Sequence, residues 1–154
     1  MTQDARFADA APAGKPVRVL VETADDLAVV SALTQDAAAR VGDAAWMPRR
    51  RRFALAMNRF RWEAGDAAPP ERVRAVLSVE NVLGVRAKGL DPTAKTAPVV
   101  LLAVDFTPAD DGAGTLTLRL GGGATLELSV EALDLTLADV TRPWPASRKP
   151  RHKV

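Results

Sequence analysis

The sequence predicts an α+β fold: a mostly antiparallel, bent sheet, partly closed as a barrel or a pleckstrin-homology-like roll, with one helix near the N-terminus. Only residues 23–36 carry apolar side chains at helical spacing. Seven or eight other segments alternate apolar and polar residues, as half-buried strands do. The alternation changes phase near residues 58–59 and again near Ala132, so the sheet must bend. A sheet with one apolar face buries that face by curling.

The length of 154 residues fits one domain. We expect residues 1–15 to form a disordered arm, residues 16–145 a single folded domain and residues 146–154 a basic disordered tail. Trp144, between two prolines, is expected to dock the end of the domain. No apolar run reaches the roughly 18 residues of a membrane span, and the N-terminal residues contain no apolar signal segment. We therefore expect a cytoplasmic protein without membrane contact.

The helix is predicted from its start. Residues 17–21 are rich in β-branched side chains and predict a first strand. Thr23 follows and can cap free backbone N–H groups, and Asp26 stands three residues later, where an acid favours the positive end of a helix. Helical spacing continues to about Asp36, where we expect the helix to end.

An arginine-rich hairpin is predicted next. Residues 38–47 and 52–60 read as two strands around a turn at residues 48–51. A four-residue loop places Trp46 opposite Phe53, and an aromatic cross-strand pair stabilises a hairpin by up to about 1 kcal/mol.

The second strand of this hairpin changes phase. The apolar residues within 53–57 share one face, whereas Phe60 and Trp62 have the opposite parity. An extra residue between the two sets would restore their parity, so that both could be buried on one face of the sheet. We therefore predict a β-bulge at Asn58 and Arg59, a feature that often re-aims side chains.

The C-terminal half is predicted to be all strand. Residues 73–79 and 83–87 alternate as one bent strand or two short ones, and residues 99–106 resemble a central strand. Residues 115–130 predict a hairpin. All of its large apolar residues share one face only if the loop has three or five residues, and we centre that loop on Gly123.

The charges are unevenly distributed, although the net charge is only +2. Residues 40–95 carry 12 basic and 6 acidic side chains, whereas residues 103–140 carry 1 basic and 7 acidic side chains. Two interpretations remain open: a positive face for an acidic partner, or two blocks that attract each other across one fold.

Several catalytic chemistries lack the residues they need. Cysteine is absent, which excludes disulfides and thiolate metal sites, and His152, the sole histidine, lies in the predicted tail. The paired acids at 25–26 and 110–111 are sequence neighbours, which point apart on a helix or strand. The glycines at 121–123 precede a strand, so they do not match a phosphate-binding loop. The sequence predicts no catalytic residue, no metal and no cofactor.

The leading hypothesis is a small non-enzymatic binding or adaptor domain that recognises an acidic protein segment or an anionic ligand. RNA or DNA binding through the arginine-rich hairpin is the alternative, because arginines alternate there with aromatic residues. An enzyme that uses an arginine, an asparagine and a carboxylate such as Glu63 or Asp43 is a third hypothesis. The sequence predicts no oligomeric state. The candidate binding residues are Asn58, Arg59, Arg61, Arg49, Arg50 and Arg51.

Short motifs along the chain carry a resemblance to a known family. The motifs are Asp26-Leu27, Gln35-Asp36-Ala37, Val41-Gly42-Asp43, Arg52-Phe53, Asn58-Arg59-Phe60, Trp62-Glu63, Leu101-Leu102-Ala103-Val104 and Ala138-Asp139-Val140. They resemble an uncharacterised bacterial family, domain of unknown function 2948, common in alphaproteobacteria. The resemblance covers most of residues 17–145. Because the family has no established activity, the resemblance implies no substrate, cofactor or catalytic residue.

Overall fold

One open, antiparallel sheet and one α-helix form the part of the chain that the structure, a computed structural model, describes: residues 15–147 and residue 150. The predicted α+β class is confirmed. The predicted arm, up to residue 14, and most of the predicted tail lie outside the described residues. The elements are β1 (Arg18–Val21), α1 (Ala24–Leu33), β2 (Ala37–Arg40), β3 (Ala44–Met47), β4 (Arg52–Phe60), β5 (Glu71–Val79), β6 (Val82–Lys88), β7 (Pro98–Pro108), β8 (Gly114–Leu120), β9 (Thr125–Val130), β10 (Leu135–Asp139) and β11 (Trp144–Pro145).

The strand order is β1-β10-β5-β4-β2-β7-β8-β9-β6. β3 also pairs with β4, so β2 and β3 follow each other along one side of that strand. β11 pairs with β5, which attaches the end of the domain to the sheet as expected, although Trp144 itself is 37% exposed. The helix packs against β1 and β7, so it bridges one edge of the sheet and its middle.

One face of the sheet forms the core. Leu55, Leu77 and Leu137 lie side by side on β4, β5 and β10, and each is at most 2% exposed. Leu116 and Leu128 face each other across β8 and β9 and are fully buried. Burying one such side chain stabilises the fold by about 1.5–3 kcal/mol.

The helix begins as predicted and ends early. The Thr23 hydroxyl accepts a hydrogen bond from the Asp26 amide at 3.2 Å. The helix ends at Leu33, and the chain then reverses at Asp36, which takes a left-handed backbone with φ of 62°. This reversal leads the chain directly into β2.

The arginine-rich hairpin has the predicted register. Trp46 lies opposite Phe53 and Met47 opposite Arg52. The predicted bulge, in contrast, is wrong, because β4 pairs with β5 without interruption to the end of the strand. The inward positions of β4 continue regularly to Arg59, which is itself buried, while the next residue is buried on the other face. Our prediction assumed that inward positions are apolar.

The glycine hairpin is closed by a three-residue loop, as the shared face requires. Leu118 pairs with Leu126, and the Leu120 amide donates to the Ala124 carbonyl at 2.8 Å. The loop is centred on Gly122 and not on Gly123, and both glycines have φ near 80°, which suits glycine.

Two other sequence predictions concern the strands. The second predicted change of phase is a bend at residues 131–134. Residues 71–88, predicted as one bent strand or two short ones, form two strands.

Gly114 permits a close approach within the β7–β8 pair. A Cβ atom at this position would lie 2.5 Å from the Thr107 carbonyl oxygen and 2.6 Å from the Phe106 ring. We expect Gly114→Ala to lower the free energy of unfolding by about 1–3 kcal/mol, because the backbone must shift. Gly121→Ala is the matched control, since its Cβ would meet nothing closer than 3.8 Å. Urea denaturation of both variants tests this; equal stabilities would refute it.

Candidate functional site

Arg59 lies in the core and all its donors are used. The residue is 0% exposed. Its guanidinium forms one two-pronged pair with Asp139, with both N···O distances at 3.0 Å, and another with Glu63, at 2.9 and 2.8 Å. The Phe60 carbonyl accepts a further hydrogen bond at 3.3 Å. Because every N–H of the guanidinium already has a partner, Arg59 has no free donor for a ligand.

The partners of Arg59 show that it joins separate elements. The Asp139 side chain, 1% exposed, also accepts a hydrogen bond from the Val17 amide at 2.8 Å. One carboxylate therefore holds β4, the end of β10 and the residue before β1 together. Burial lowers the pKa of Arg59, but hydrogen bonds and charges from Glu63 and Asp139 outweigh burial and raise it. The guanidinium stays charged.

Arg61 is also buried, but its pairing is incomplete. It is 2% exposed, and Nη1 donates to Glu71 at 2.6 Å. Nε lies 3.6 Å from Glu63, and neither Nε nor Nη2 makes a hydrogen bond. The structure therefore places Arg59 and Arg61 in the interior, and the expectation that they lie on an accessible binding face is not met. The sequence alone could not separate an exposed arginine from a paired, buried one.

Glu63 links folding to pH. Burial raises the pKa of Glu63, but the hydrogen bond from Arg59, its own backbone amide and the charges of Arg59 and Arg61 hold it below its ordinary value of 4.5. A carboxyl group whose pKa is lower in the folded state stabilises the fold at pH values above its unfolded pKa. This stabilisation is lost as the pH falls through the folded pKa. We expect the stability difference between the native protein and Glu63→Gln to shrink below about pH 4.5. Urea titrations from pH 7 to pH 3 measure it; a difference independent of pH would disprove the linkage.

Asn58 lies on the opposite face of the sheet from Arg59. Its side-chain oxygen accepts from Arg74 at 3.2 Å, and its carbonyl accepts from Arg72 at 3.0 Å. Arg74 also pairs with Asp43 at 3.0 Å. Burial raises the pKa of Asp43, but hydrogen bonds from the Arg40 amide and from Arg74 outweigh burial and lower it. The predicted site residues Asn58, Arg59 and Arg61 therefore do not converge on one surface.

Of the four arginines at the hairpin tip, two form ion pairs with other described residues and two do not. Arg51 bonds to Glu131 at 2.6 Å, and Arg52 lies 2.9 Å from Glu80. Arg49 and Arg50 are exposed and form no ion pair within the part of the chain that the structure describes. The basic block thus pairs with the acidic block through Arg51 and Arg59, which agrees with the second interpretation of the charge pattern.

A cavity that the sequence did not predict lies between the β3–β4 hairpin and β6, and we name it the β3–β6 cavity. Its volume is about 300 Å³. Arg40, Pro92 and Lys95 are exposed and form its mouth, whereas Phe53 and Leu55 are 2% exposed and lie at its floor. The described residues that line it are Arg40, Val41, Ala44, Trp46, Phe53, Leu55, Val85, Ala87, Leu90, Pro92, Lys95, Val99, Leu120 and Leu126.

Backbone contacts fix the mouth of this cavity. The Gly42 amide donates to the Lys95 carbonyl at 2.8 Å, and the Val41 amide donates to the Ala97 carbonyl at 3.0 Å. A Cβ atom on Gly42 would lie 3.0 Å from the Lys95 oxygen, so glycine allows this close contact. The loop that carries Lys95 is therefore attached to the turn after Arg40, and the two cations belong to one rim.

Within the described part of the chain, the two rim cations form no salt bridge, although the charge of Arg40 helps to lower the pKa of Asp43, with which it also lines a second pocket. Among the described residues, neither Arg40 nor Lys95 has a carboxylate oxygen within 4.0 Å of its side-chain nitrogens. This contrasts with Arg59, whose charge is fully compensated. The same part of the chain contains no group of three or more His, Cys, Asp and Glu side chains suited to a metal ion. It contains no helix long and apolar enough to cross a membrane.

Comparison with known proteins identifies a family but no characterised relative. Residues 17–152 match the model of the family described as "Protein of unknown function (DUF2948)". The match spans most of the chain, so the protein belongs to this family, as the motif resemblance implied. No curated protein and no solved structure matches the chain.

Proposed function

We propose that this member of the family is a small, non-enzymatic binding domain that holds an anionic ligand in the β3–β6 cavity. The observation that carries the proposal is a pair of exposed cations, Arg40 and Lys95, that form no salt bridge among the described residues and line the mouth of an apolar cavity. A concave, mostly apolar pocket with a few convergent polar groups is the usual form of a ligand site. The apolar walls also exclude water, which strengthens the attraction between the rim and an anion.

The proposal keeps the anionic ligand of the leading hypothesis and changes the residues that bind it. Arg59 and Arg61 are enclosed by carboxylates, so Arg40 and Lys95 replace them. The enzyme hypothesis needs a deep polar cleft in which Glu63 or Asp43 lies beside Arg59. Glu63 does lie beside Arg59, but Arg59 is 0% exposed and therefore closed to a substrate, which supports a non-enzymatic role.

The probe for this proposal is 8-anilinonaphthalene-1-sulfonate, an apolar anion that fluoresces on leaving water. Ala44 lines the cavity, whereas its neighbour Ala45 is exposed and does not line it. We expect the native protein to bind one probe, Ala44→Phe to lose that binding because the ring fills the cavity, and Ala45→Phe to retain it. No binding, or binding that survives Ala44→Phe, would overturn the proposal. Near-ultraviolet circular dichroism verifies that each variant keeps its tertiary packing, since loosely packed states also bind this dye.

Nucleic acid is the second candidate ligand, and the structure limits how it could bind. Only Arg49 and Arg50 at the hairpin tip are exposed and unpaired within the described residues. Two phosphate contacts on a single strand correspond to a slope of log K against log salt of about −1.4, whereas six would give about −4. We expect any binding of single-stranded DNA, measured at several salt concentrations, to show the shallow slope. A slope near −4 would mean that arginines now paired with carboxylates open to bind phosphate.

The biological setting belongs to the same proposal. A cytoplasmic protein of alphaproteobacterial origin is what the resemblance and the lack of cysteine favour. An acidic protein partner remains the alternative to a small anion. It would have to insert a side chain or terminal carboxylate between Arg40 and Lys95.

A further inference from the structure

We infer that the ligand of the β3–β6 cavity is an unbranched aliphatic chain of about eight to ten carbons with one anionic head. This inference rests on the proposed function and names the chemical class of the ligand. It follows from three properties of the cavity: the chemistry of its walls, the positions of its charges and its volume.

The walls offer almost no hydrogen bonds. The described side chains that line the cavity include no hydroxyl, amide, carboxyl or imidazole group. Apart from the two cations, the indole N–H of Trp46 is the one side-chain donor among them. A sugar, nucleobase or peptide would bury several polar groups without partners, each at a cost of roughly 1–3 kcal/mol. The ligand body must therefore be apolar.

The charges lie at one end of the cavity. Arg40 and Lys95 are exposed at the mouth, whereas Phe53, Leu55 and Leu120 at the floor are 2–3% exposed. A ligand that enters with its apolar end first keeps its charged head beside both cations and in contact with water. The head then gains attraction without the large cost of burying a charge. The anion therefore belongs at one end of the molecule.

The volume sets the length of the chain. The cavity measures about 300 Å³. Taking a methylene as similar in size to a water molecule, whose share of liquid volume is about 30 Å³, the cavity holds about ten such groups. Each buried methylene contributes about 0.8 kcal/mol, which corresponds to an approximately fourfold gain in affinity. The aliphatic side chains of the walls, among them Val85, Leu90 and Leu126, suit such a chain.

Calorimetric titration with hexanoate, octanoate, decanoate and tetradecanoate tests the inference. We expect the dissociation constant to fall about fourfold per methylene up to about ten carbons, and to stop falling beyond them. 1-Decanol, which lacks the charge, should bind at least tenfold more weakly than decanoate. Ala44→Phe should abolish decanoate binding, and Ala45→Phe should retain it.

Two sources of the same chemistry are distinguished by the head. Decanoate represents a free fatty acid, and a lysophosphatidate with a ten-carbon chain represents an acyl chain attached to a phosphate. Preferential binding of either identifies the source and supports the inference.

The outcomes also separate this inference from the proposed function. If the protein binds 8-anilinonaphthalene-1-sulfonate in the cavity but neither acyl compound, the aliphatic class is wrong and the proposed function stands. If the sulfonate probe also fails to bind, both are wrong. Equal binding of decanol and decanoate would refute the anionic head.

Discussion

Replacing Arg59 with methionine is expected to lower the free energy of unfolding by about 3–5 kcal/mol, the typical effect of removing one partner from a buried ion pair. Arg59 is 0% exposed and compensates two carboxylates. Its loss would leave Asp139, whose side chain is 1% exposed, as a buried charge without its guanidinium. It would also release the contact between β4 and β10. Urea denaturation at pH 7 measures the effect.

Arg61→Met is the matched control, and its expected loss is much smaller. Two of its guanidinium nitrogens make no hydrogen bond in the native protein, so methionine removes a desolvation cost. The side chains of its partners Glu71 and Glu63 are 34% and 26% exposed, so water can hydrate them. Equal losses for Arg59→Met and Arg61→Met would show that complete pairing is not what makes Arg59 important for the fold.

Replacing both rim cations is expected to weaken binding of 8-anilinonaphthalene-1-sulfonate at least tenfold. A hydrogen bond to a charged group contributes about 1.5–3 kcal/mol, and the double variant Arg40→Gln, Lys95→Gln removes both charges. Glutamine keeps much of the side-chain volume and polarity, so the shape of the mouth changes little. Fluorescence titration at low and moderate salt measures the affinity.

Two controls isolate the charge of the rim. The double variant Arg49→Gln, Arg50→Gln removes two exposed cations at the hairpin tip that do not line the cavity, and should change the affinity less than twofold. N-Phenyl-1-naphthylamine, the uncharged analogue of the probe, should bind the native protein and the rim variant alike. A rim variant that loses the uncharged analogue as well would have lost the cavity itself.

Local patterns predicted most of the fold. Alternation located the strands, and the Thr23 cap located the start of the helix. The four-residue loop at the arginines predicted the pairing of Trp46 with Phe53. The requirement that the leucines of the glycine hairpin share one face predicted a loop with an odd number of residues. These features depend on residues close together in the chain, for which side-chain parity is enough.

The buried ion pairs could not be predicted from parity. Arg59 occupies an inward position because Asp139 and Glu63 reach it there, and Asp139 lies 80 residues away in the chain. A charged residue at an inward position appeared instead as a change of phase, which gave the wrong bulge. The order of strands was needed to see the pairing, and the sequence gives no direct signal for that order.

The cavity was hidden for the same reason. β6 follows β5 in the chain but pairs with β9 on the far side of the sheet. That crossing brings Val85 and Ala87 to the same cavity as Trp46. Gly42, which lies within a motif of the family resemblance, was the nearest local signal, because it permits the contact that positions Lys95.

The most direct test of the central claim is a map of amide chemical shifts in the 15N-labelled protein, titrated with 8-anilinonaphthalene-1-sulfonate. The account predicts that the largest shifts fall on residues around the β3–β6 cavity, at positions 40–46, 85–90 and 95–99, and saturate at one probe per chain. Shifts confined to the hairpin tip at positions 49–51, or scattered over the surface without saturation, would contradict a binding site in the cavity.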